Sequence, residues 1–138
     1  MPSIEPTAEQ LQCLQRDAAH PGPIVMINLL RYRERASYPP GFDATPCSGR
    51  EAYQRYAAVA LEKVASVGGK LVWMGIVKDA VIAPEGEEWD DAALVHYPSR
   101  QAFLDMIAQP DYLAAAVHRT AALADSRLLM TERVTGAA

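Results

Sequence analysis

The feature that most restricts the fold of this chain is a set of predicted strands that are apolar on both faces. Side chains alternate along a strand, so in residues 24–30 the side chains of Ile24, Met26 and Leu30 oppose those of Val25, Ile27 and Leu29. In residues 71–77, Leu71, Trp73 and Gly75 are predicted on one face and Val72, Met74 and Ile76 on the other. Helices of one chain can cover only one face of such a sheet, and large exposed apolar patches are rare on monomers. We therefore predict a homodimer that pairs its sheets face to face.

The remaining elements place these strands in a β-α-β-β-α-β order. A long helix is predicted after Ser48, which begins a capping box with Glu51, and Gly68-Gly69 ends that helix. Further strands are predicted at about residues 92–97 and 127–132. Ser99 caps the second helix, which must break at Pro110. The order is that of ferredoxin-like α+β folds.

An extra helix precedes this core. Thr7 and Gln10 form a capping box, and apolar residues then recur at helical spacing, which predicts a helix over about residues 8–19. The whole chain, 1–138, is expected to be one domain, with the ferredoxin-like core at 23–132 and a frayed tail at 133–138. Residues 35–47 form a loop with three prolines, and loops of this length are often functional.

Composition narrows the class of function. The chain has 138 residues and a net charge of -4, and it lacks the basic stripe that would neutralise nucleic-acid phosphates. No apolar run reaches the ~18 residues of a membrane span. Cys13 and Cys47 do not form a paired motif, and no secretory signal is evident, so a cytoplasmic protein with reduced thiols is expected. No metal-ligand spacing or nucleotide-binding motif is present, and we predict neither a metal nor a cofactor.

The candidate catalytic residues are His118 and Arg119, which lie late in the last predicted helix. His118 could act as a general base near neutral pH while Arg119 holds an anionic or enolate oxygen. Alternatively, His118 caps carbonyl groups at the helix end and Arg119 pairs with a carboxylate such as Asp125.

Five other residues are candidates for ligand binding: Asn28, Tyr53, Tyr56, Trp73 and His96. Asn28 is the one polar side chain inside an apolar strand, so it either fixes a loop or points into a pocket. Tyr53 and Tyr56 share the inner face of the long helix, where their hydroxyl groups need partners even if the rings are core residues. Trp73 could line a cavity or lie in the dimer interface, and His96 could join a pocket from the face of Leu94.

Several short motifs, in order, resemble the domain of unknown function 1330 family. They are Asn28-Leu29-Leu30, Ser48-Gly49-Arg50-Glu51-Ala52-Tyr53, Gly68-Gly69, Tyr97-Pro98-Ser99-Arg100, Pro110-Asp111-Tyr112, His118-Arg119 and Asp125-Ser126-Arg127. The resemblance covers about residues 23–132 and implies a dimeric α/β barrel. The family has no established reaction, so it assigns no catalytic residue.

Relatives by fold include cofactor-free monooxygenases, muconolactone isomerase-like enzymes and stress-responsive barrel proteins. The resemblance therefore implies a small-molecule role, for example that of a cofactor-independent oxygenase or isomerase acting on an aromatic or carbonyl compound. Fold analogy alone leaves two alternatives open, a non-catalytic ligand-binding or stress-response module and a purely structural dimerisation domain. The enzyme hypothesis predicts a closed pocket between sheet and helices, with His118 facing into it.

Overall fold

In the described part of the chain, four helices and four strands follow one another in the predicted order. The computed structural model describes residues 1–135, so residues 136–138 of the predicted tail lie outside the described part. The elements are α1 (Ala8–Arg16), β1 (Ile24–Tyr32), α2 (Gly49–Ser66), β2 (Lys70–Ile76), β3 (Asp91–Tyr97), α3 (Arg100–Ile107), α4 (Pro110–Ala122) and β4 (Leu123–Thr131). Pro110 begins α4, where its missing N–H costs nothing.

The strands form one antiparallel sheet in the order β2-β3-β1-β4. This order, with α2 and the α3–α4 pair as the two crossovers, confirms the predicted ferredoxin-like fold. The extra helix is also present, but α1 ends at Arg16 and not near residue 19. Asp17 caps α1, and the following turn leads into the proline segment before β1. None of the residues of α1 is fully buried.

The two faces of β1 divide as predicted. Ile24, Met26 and Leu30 are almost fully buried beneath the helices, with exposures of 2%, 3% and 0%. Val25 and Ile27 point to the other face, which we call the open face because no helix within residues 1–135 covers it. Their cross-strand partners on that face are His96 and Leu94 of β3 and Thr131 and Leu129 of β4.

One face assignment in β2 is wrong. Leu71 pairs with Val95 and Trp73 with Leu94, so the register shifts between these two residues of β2. This β-bulge inserts one residue and breaks the simple alternation. Leu71 therefore lies on the helix face, whereas Trp73 lies on the open face, where its indole covers Gly75.

The capping box of α2 stabilises the helix that covers the sheet. The Ser48 hydroxyl accepts a hydrogen bond from the Glu51 backbone N–H at 3.1 Å, and the Glu51 carboxylate accepts one from the Ser48 N–H at 2.9 Å. We expect Ser48→Ala to lower the free energy of unfolding by about 1 kcal/mol, because one orphan N–H loses its partner. Urea-induced unfolding followed by circular dichroism measures the loss.

Thr7→Ala is the matched control, because Thr7 and Gln10 form the same capping box on α1. Since α1 has no fully buried residue, it can fray without unfolding the core. The control should change the unfolding free energy by less than half as much as Ser48→Ala. Equal losses would contradict this account of α2.

Candidate functional site

A buried carboxylate lies where α2 meets the sheet. The side chain of Asp91, at the start of β3, is only 4% exposed. Its Oδ2 accepts hydrogen bonds from the Tyr32 hydroxyl at 2.7 Å and from Arg50 Nη1 at 2.8 Å. The Arg50 guanidinium also stands over the Tyr32 ring, 4.7 Å from its centroid. Within residues 1–135, the buried Oδ1 of Asp91 has no hydrogen-bond donor.

Tyrosine side chains extend from this carboxylate along the inner face of α2. The Tyr53 ring lies 5.5 Å from Tyr32 and 5.3 Å from Tyr56, between ring centroids. The Tyr56 hydroxyl bonds to the Tyr112 hydroxyl of α4 at 2.8 Å. Burial raises the pKa of Tyr53 to about 12, and the nearby Arg119 cation opposes that shift. Burial also raises the pKa of Tyr56 well above its ordinary value, so both hydroxyl groups are protonated at neutral pH. The Tyr53 hydroxyl makes no hydrogen bond to the described residues.

Asn28 lies on the same side of the sheet as this tyrosine row. It pairs with Ala93 across the β1–β3 ladder, and its amide donates only a long bond of 3.5 Å to the Ala93 carbonyl. The structure thus brings Asn28, Tyr53 and Tyr56 to one layer between sheet and helices. We call the following set the inner cluster: Asn28, Tyr32, Arg50, Tyr53, Tyr56, Asp91, Tyr112 and Arg119.

Arg119 belongs to this layer, but its guanidinium already makes hydrogen bonds within the chain. Its guanidinium donates to the backbone carbonyl of Ile4 at 2.5 Å and to the Ser126 hydroxyl at 3.5 Å. The carboxylate considered as its partner, Asp125, instead accepts from Arg127 at 2.9 Å and from the Ser3 N–H at 2.8 Å. Arg119 therefore ties the N-terminal segment to β4.

His118 lies apart from the inner cluster. Its Nδ1 is 2.6 Å from the hydroxyl of Tyr38, a residue of the proline loop, and Arg55 of α2 donates to the same hydroxyl at 3.2 Å. Burial and then the Arg55 cation lower the pKa of His118. The sequence predicted that His118 and Arg119 act together in one pocket. These contacts instead place the two side chains among different partners.

Trp73 and His96 lie on the open face of the sheet. Trp73 is 61% exposed and His96 pairs with Val25. A shallow cavity of about 330 Å³ lies at this end of the face, between His96, Val25 and Thr131. These two candidates therefore cannot share a helix-side pocket with Asn28, Tyr53 and Tyr56.

Six residues of these sites were not among the candidates predicted from the sequence: Tyr32, Tyr38, Arg50, Arg55, Asp91 and Tyr112. Arg50 lies within a motif quoted for the family resemblance, and the proline loop that carries Tyr38 was noted for its length. Nothing local distinguishes Asp91 from the acidic turn before it. Its burial follows from strand pairing with Leu30 and Ile76.

The fold and these sites define an α+β domain with a ferredoxin-like sheet and a polar layer beneath its helices. The family model for the domain of unknown function (DUF1330) matches residues 46–133. The RPA0582 protein of unknown function from Rhodopseudomonas palustris is 37% identical, with 98% of this chain and 99% of that chain covered and a TM-score of 0.89. The chain therefore belongs to the DUF1330 family. The comparison with curated proteins found no match.

More distant solved structures share the fold alone. Hydroxynitrile lyase from Passiflora edulis is 12% identical, with 86% of this chain and 99% of that chain covered and a TM-score of 0.56. SnoaB, a cofactor-independent oxygenase from Streptomyces nogalater, is 16% identical, with 83% and 97% covered and a TM-score of 0.52. In the described part of this chain, no helix combines the length and apolar character needed to cross a membrane.

Proposed function

We propose that this protein is a homodimer that binds a small hydroxylated molecule in the inner cluster. The observation that carries the proposal is the buried Oδ1 of Asp91, which lacks a donor among the described residues. Leaving a buried charged acceptor unpaired costs several kcal/mol, so a donor from a bound molecule is the natural partner. An O–H group would fill this role.

The other polar groups of the layer complement such a ligand. The Tyr53 hydroxyl is unbonded, and Asn28 makes only a long hydrogen bond, so both can bind a carbonyl or hydroxyl oxygen. The rings of Tyr32, Tyr53 and Tyr56 supply apolar surface for an aromatic or short aliphatic body. Because His118 lies elsewhere, Asp91 is the base available for any cofactor-independent chemistry at this site. A purely structural domain would need none of these unused polar groups.

The open face supports the dimer. Val25, Ile27, Leu29 and Leu94 are only partly buried by their own chain, and Trp73 and Leu129 are 61% and 52% exposed. A second copy of the same face offers an apolar surface that can cover it, and two-fold symmetry lets one patch serve both subunits. We expect a face-to-face dimer, in which Trp73 and His96 are interface residues.

Ligand binding is tested by a thermal-shift screen with phenols, quinones, lactones and short acyl compounds. A binder should raise the midpoint of the wild type, and Tyr53→Phe and Asn28→Leu should each weaken its affinity about tenfold, through one lost polar contact. Tyr97→Phe is the matched control, because the Tyr97 hydroxyl bonds only to Met106 in the core. A screen without a binder, or full affinity in both site variants, would contradict the binding site.

Assembly is tested separately by sedimentation equilibrium. Leu94→Glu places a charge in the open face and should convert the dimer to a monomer. Leu61→Glu introduces the same charge on the outer side of α2, where Leu61 is already 44% exposed, and should leave the dimer intact. A wild-type protein that is monomeric at micromolar concentration, or a dimeric Leu94→Glu variant, would refute this interface.

A further inference from the structure

The inner cluster is closed in this structure. The Asp91 side chain is 4% exposed, and Tyr56 is buried beneath α2. The cavity of about 330 Å³ lies on the open face, and a second, open groove of about 500 Å³ lies between α4 and the proline loop. Within residues 1–135, neither of these two cavities is lined by a residue of the inner cluster. A ligand that binds Asp91 therefore needs part of the chain to move aside.

The N-terminal segment lies against the inner cluster. We call residues 3–5 the strap. The Ile4 side chain, like those of Tyr32 and Tyr53, packs on one buried group, which consists of Leu30, Cys47, Ala52, Ala122 and Leu123. Arg119, which donates to the Ile4 carbonyl at 2.5 Å, is also the cation that opposes the rise in the pKa of Tyr53. The strap therefore covers the tyrosine row at Tyr53.

Hydrogen bonds from α4 and β4 hold the strap in place. The Ser126 hydroxyl donates to the Ser3 carbonyl at 2.5 Å, and the Ser3 N–H donates to Asp125 Oδ1 at 2.8 Å. The Thr120 hydroxyl donates to the Glu5 carboxylate at 3.0 Å. Together with the guanidinium bond described above, these contacts tie each residue of the strap to α4 or β4.

The strap is nevertheless held more weakly than the helix that covers the rest of the cluster. Ser3 and Glu5 are exposed and Ile4 is only partly buried, and none of the residues of the following helix α1 is fully buried. The hydrogen bonds of Ser3 and Glu5 to Asp125 and Thr120 lie at the surface, where water can replace them. The helix α2, by contrast, has buried residues along its whole length. Local opening of the strap thus costs less free energy than displacement of α2.

An entry route leads to the strap from outside. The groove between α4 and the proline loop is lined by Glu5 and its partner Thr120, and Leu113 and Val117 give it apolar walls. Its volume suits a small organic molecule. Because Glu5 lines the groove while the neighbouring Ile4 packs beside the tyrosine row, the strap lies between the two. When the strap moves aside, the groove connects to the inner cluster.

We propose that the strap is an autoinhibitory gate, which closes the inner cluster and must open before a hydroxylated ligand can enter from the groove. This inference rests on the binding function proposed above. Opening also removes the Ile4 carbonyl from Arg119, whose guanidinium can then donate to an acceptor oxygen of the ligand. The apparent affinity of such a site is reduced by the fraction of molecules that are open. Weakening the strap should therefore tighten binding.

The first test measures opening without a ligand. The Cys47 thiol is 6% exposed and belongs to the buried group on which Ile4 packs, so its reaction with iodoacetamide reports opening. Cys13 is exposed and is first replaced in a Cys13→Ser background. In that background, Ile4→Ser should speed the reaction about tenfold, because the burial of part of an isoleucine side chain is lost. Ser126→Ala removes one hydrogen bond of the strap and should speed it about fivefold.

Leu14→Ser is the matched control. Leu14 is a partly buried apolar residue of α1, but it packs on a different buried group, which includes Ile24 and Met26. The substitution removes the same kind of apolar anchor as Ile4→Ser and should change the reaction rate of Cys47 by less than twofold. Equal acceleration in the two variants would overturn the strap as the cover, because general loosening of the N-terminal region would explain both.

The second test measures the binding of phenol, a simple aromatic probe with an O–H group, by isothermal titration calorimetry. Ile4→Ser should lower the Kd of phenol about tenfold relative to wild type, because a larger fraction of the molecules is open. Tyr53→Phe added to Ile4→Ser should raise that Kd again by about tenfold, since one polar contact of the inner cluster is lost. Leu14→Ser should keep the wild-type Kd.

The outcomes separate the gate from the binding function. Phenol binding with the same Kd in wild type and Ile4→Ser would overturn the gate and leave the binding site intact. A Cys47 reaction rate within twofold of wild type in both Ile4→Ser and Ser126→Ala would overturn the gate as well. Faster reaction of Cys47 without phenol binding to any variant would refute the binding function, and the gate with it.

Discussion

Gly49→Ala is expected to destabilise the protein by about 3 kcal/mol, at the upper end of ordinary overpacking. A Cβ on Gly49 would lie 2.1 Å from the Arg33 carbonyl oxygen and 2.6 Å from the Ala122 carbonyl oxygen. Both contacts are with backbone, which cannot rotate away as a flexible side chain can. Because Gly49 begins α2, the whole helix would have to shift away from the sheet. Chemical denaturation measures the resulting loss in the free energy of unfolding.

Gly41→Ala is the control for this substitution. No atom lies within 4 Å of a Cβ at Gly41, and its cost is limited to a left-handed backbone with φ of +81°. That conformation costs about 1 kcal/mol for a residue with a side chain. Equal losses of stability in the two variants would show that the close backbone contacts at Gly49 are not the cause of the destabilisation.

The second large effect is expected for Arg50→Met, which removes the cation beside Asp91. The Asp91 side chain is 4% exposed and would keep only the Tyr32 hydroxyl as a donor. We expect a loss of about 2 kcal/mol, less than for a fully buried pair because the Arg50 side chain is 47% exposed. Urea titration near pH 7 measures this change.

A double variant separates charge from packing. Arg50→Met combined with Asp91→Asn removes the buried charge as well and should recover about half of the lost stability or more. Arg16→Met, at an exposed position of α1, should change stability by less than about 0.5 kcal/mol. If the double variant is no more stable than Arg50→Met alone, the unpaired charge of Asp91 is not the cause of the lost stability.

Much of the fold could be predicted from local patterns. The capping residues Thr7, Ser48 and Ser99 each accept the expected backbone hydrogen bond. The prediction failed at the bulge beside Val72, because a bulge leaves no mark in an apolar run, and at the end of α1, where weak turn contacts decide the last helical residue. It also began the last strand at about residue 127, whereas β4 begins at Leu123, directly after α4.

The candidate sites were predicted only in part. Tyr53 and Tyr56 could be placed on one face of the long helix by their spacing, whereas Asn28 joins their layer only through the strand pairing seen in the structure. His118 could not be placed, because two faces of α4 accept partners and only the path of the proline loop selects one. The roles proposed for Asn28 and Tyr53 remain predictions for the experiments described above.

The sequence by itself determined the order of elements and the apolar character of both sheet faces, because caps, breaks and side-chain alternation act over a few residues. Only the tertiary structure decided which polar side chains meet. Arg50 and Asp91 are 41 residues apart, and Tyr38 and His118 are 80 apart. Such pairs depend on strand register and loop closure, which are set by the packing of the whole chain.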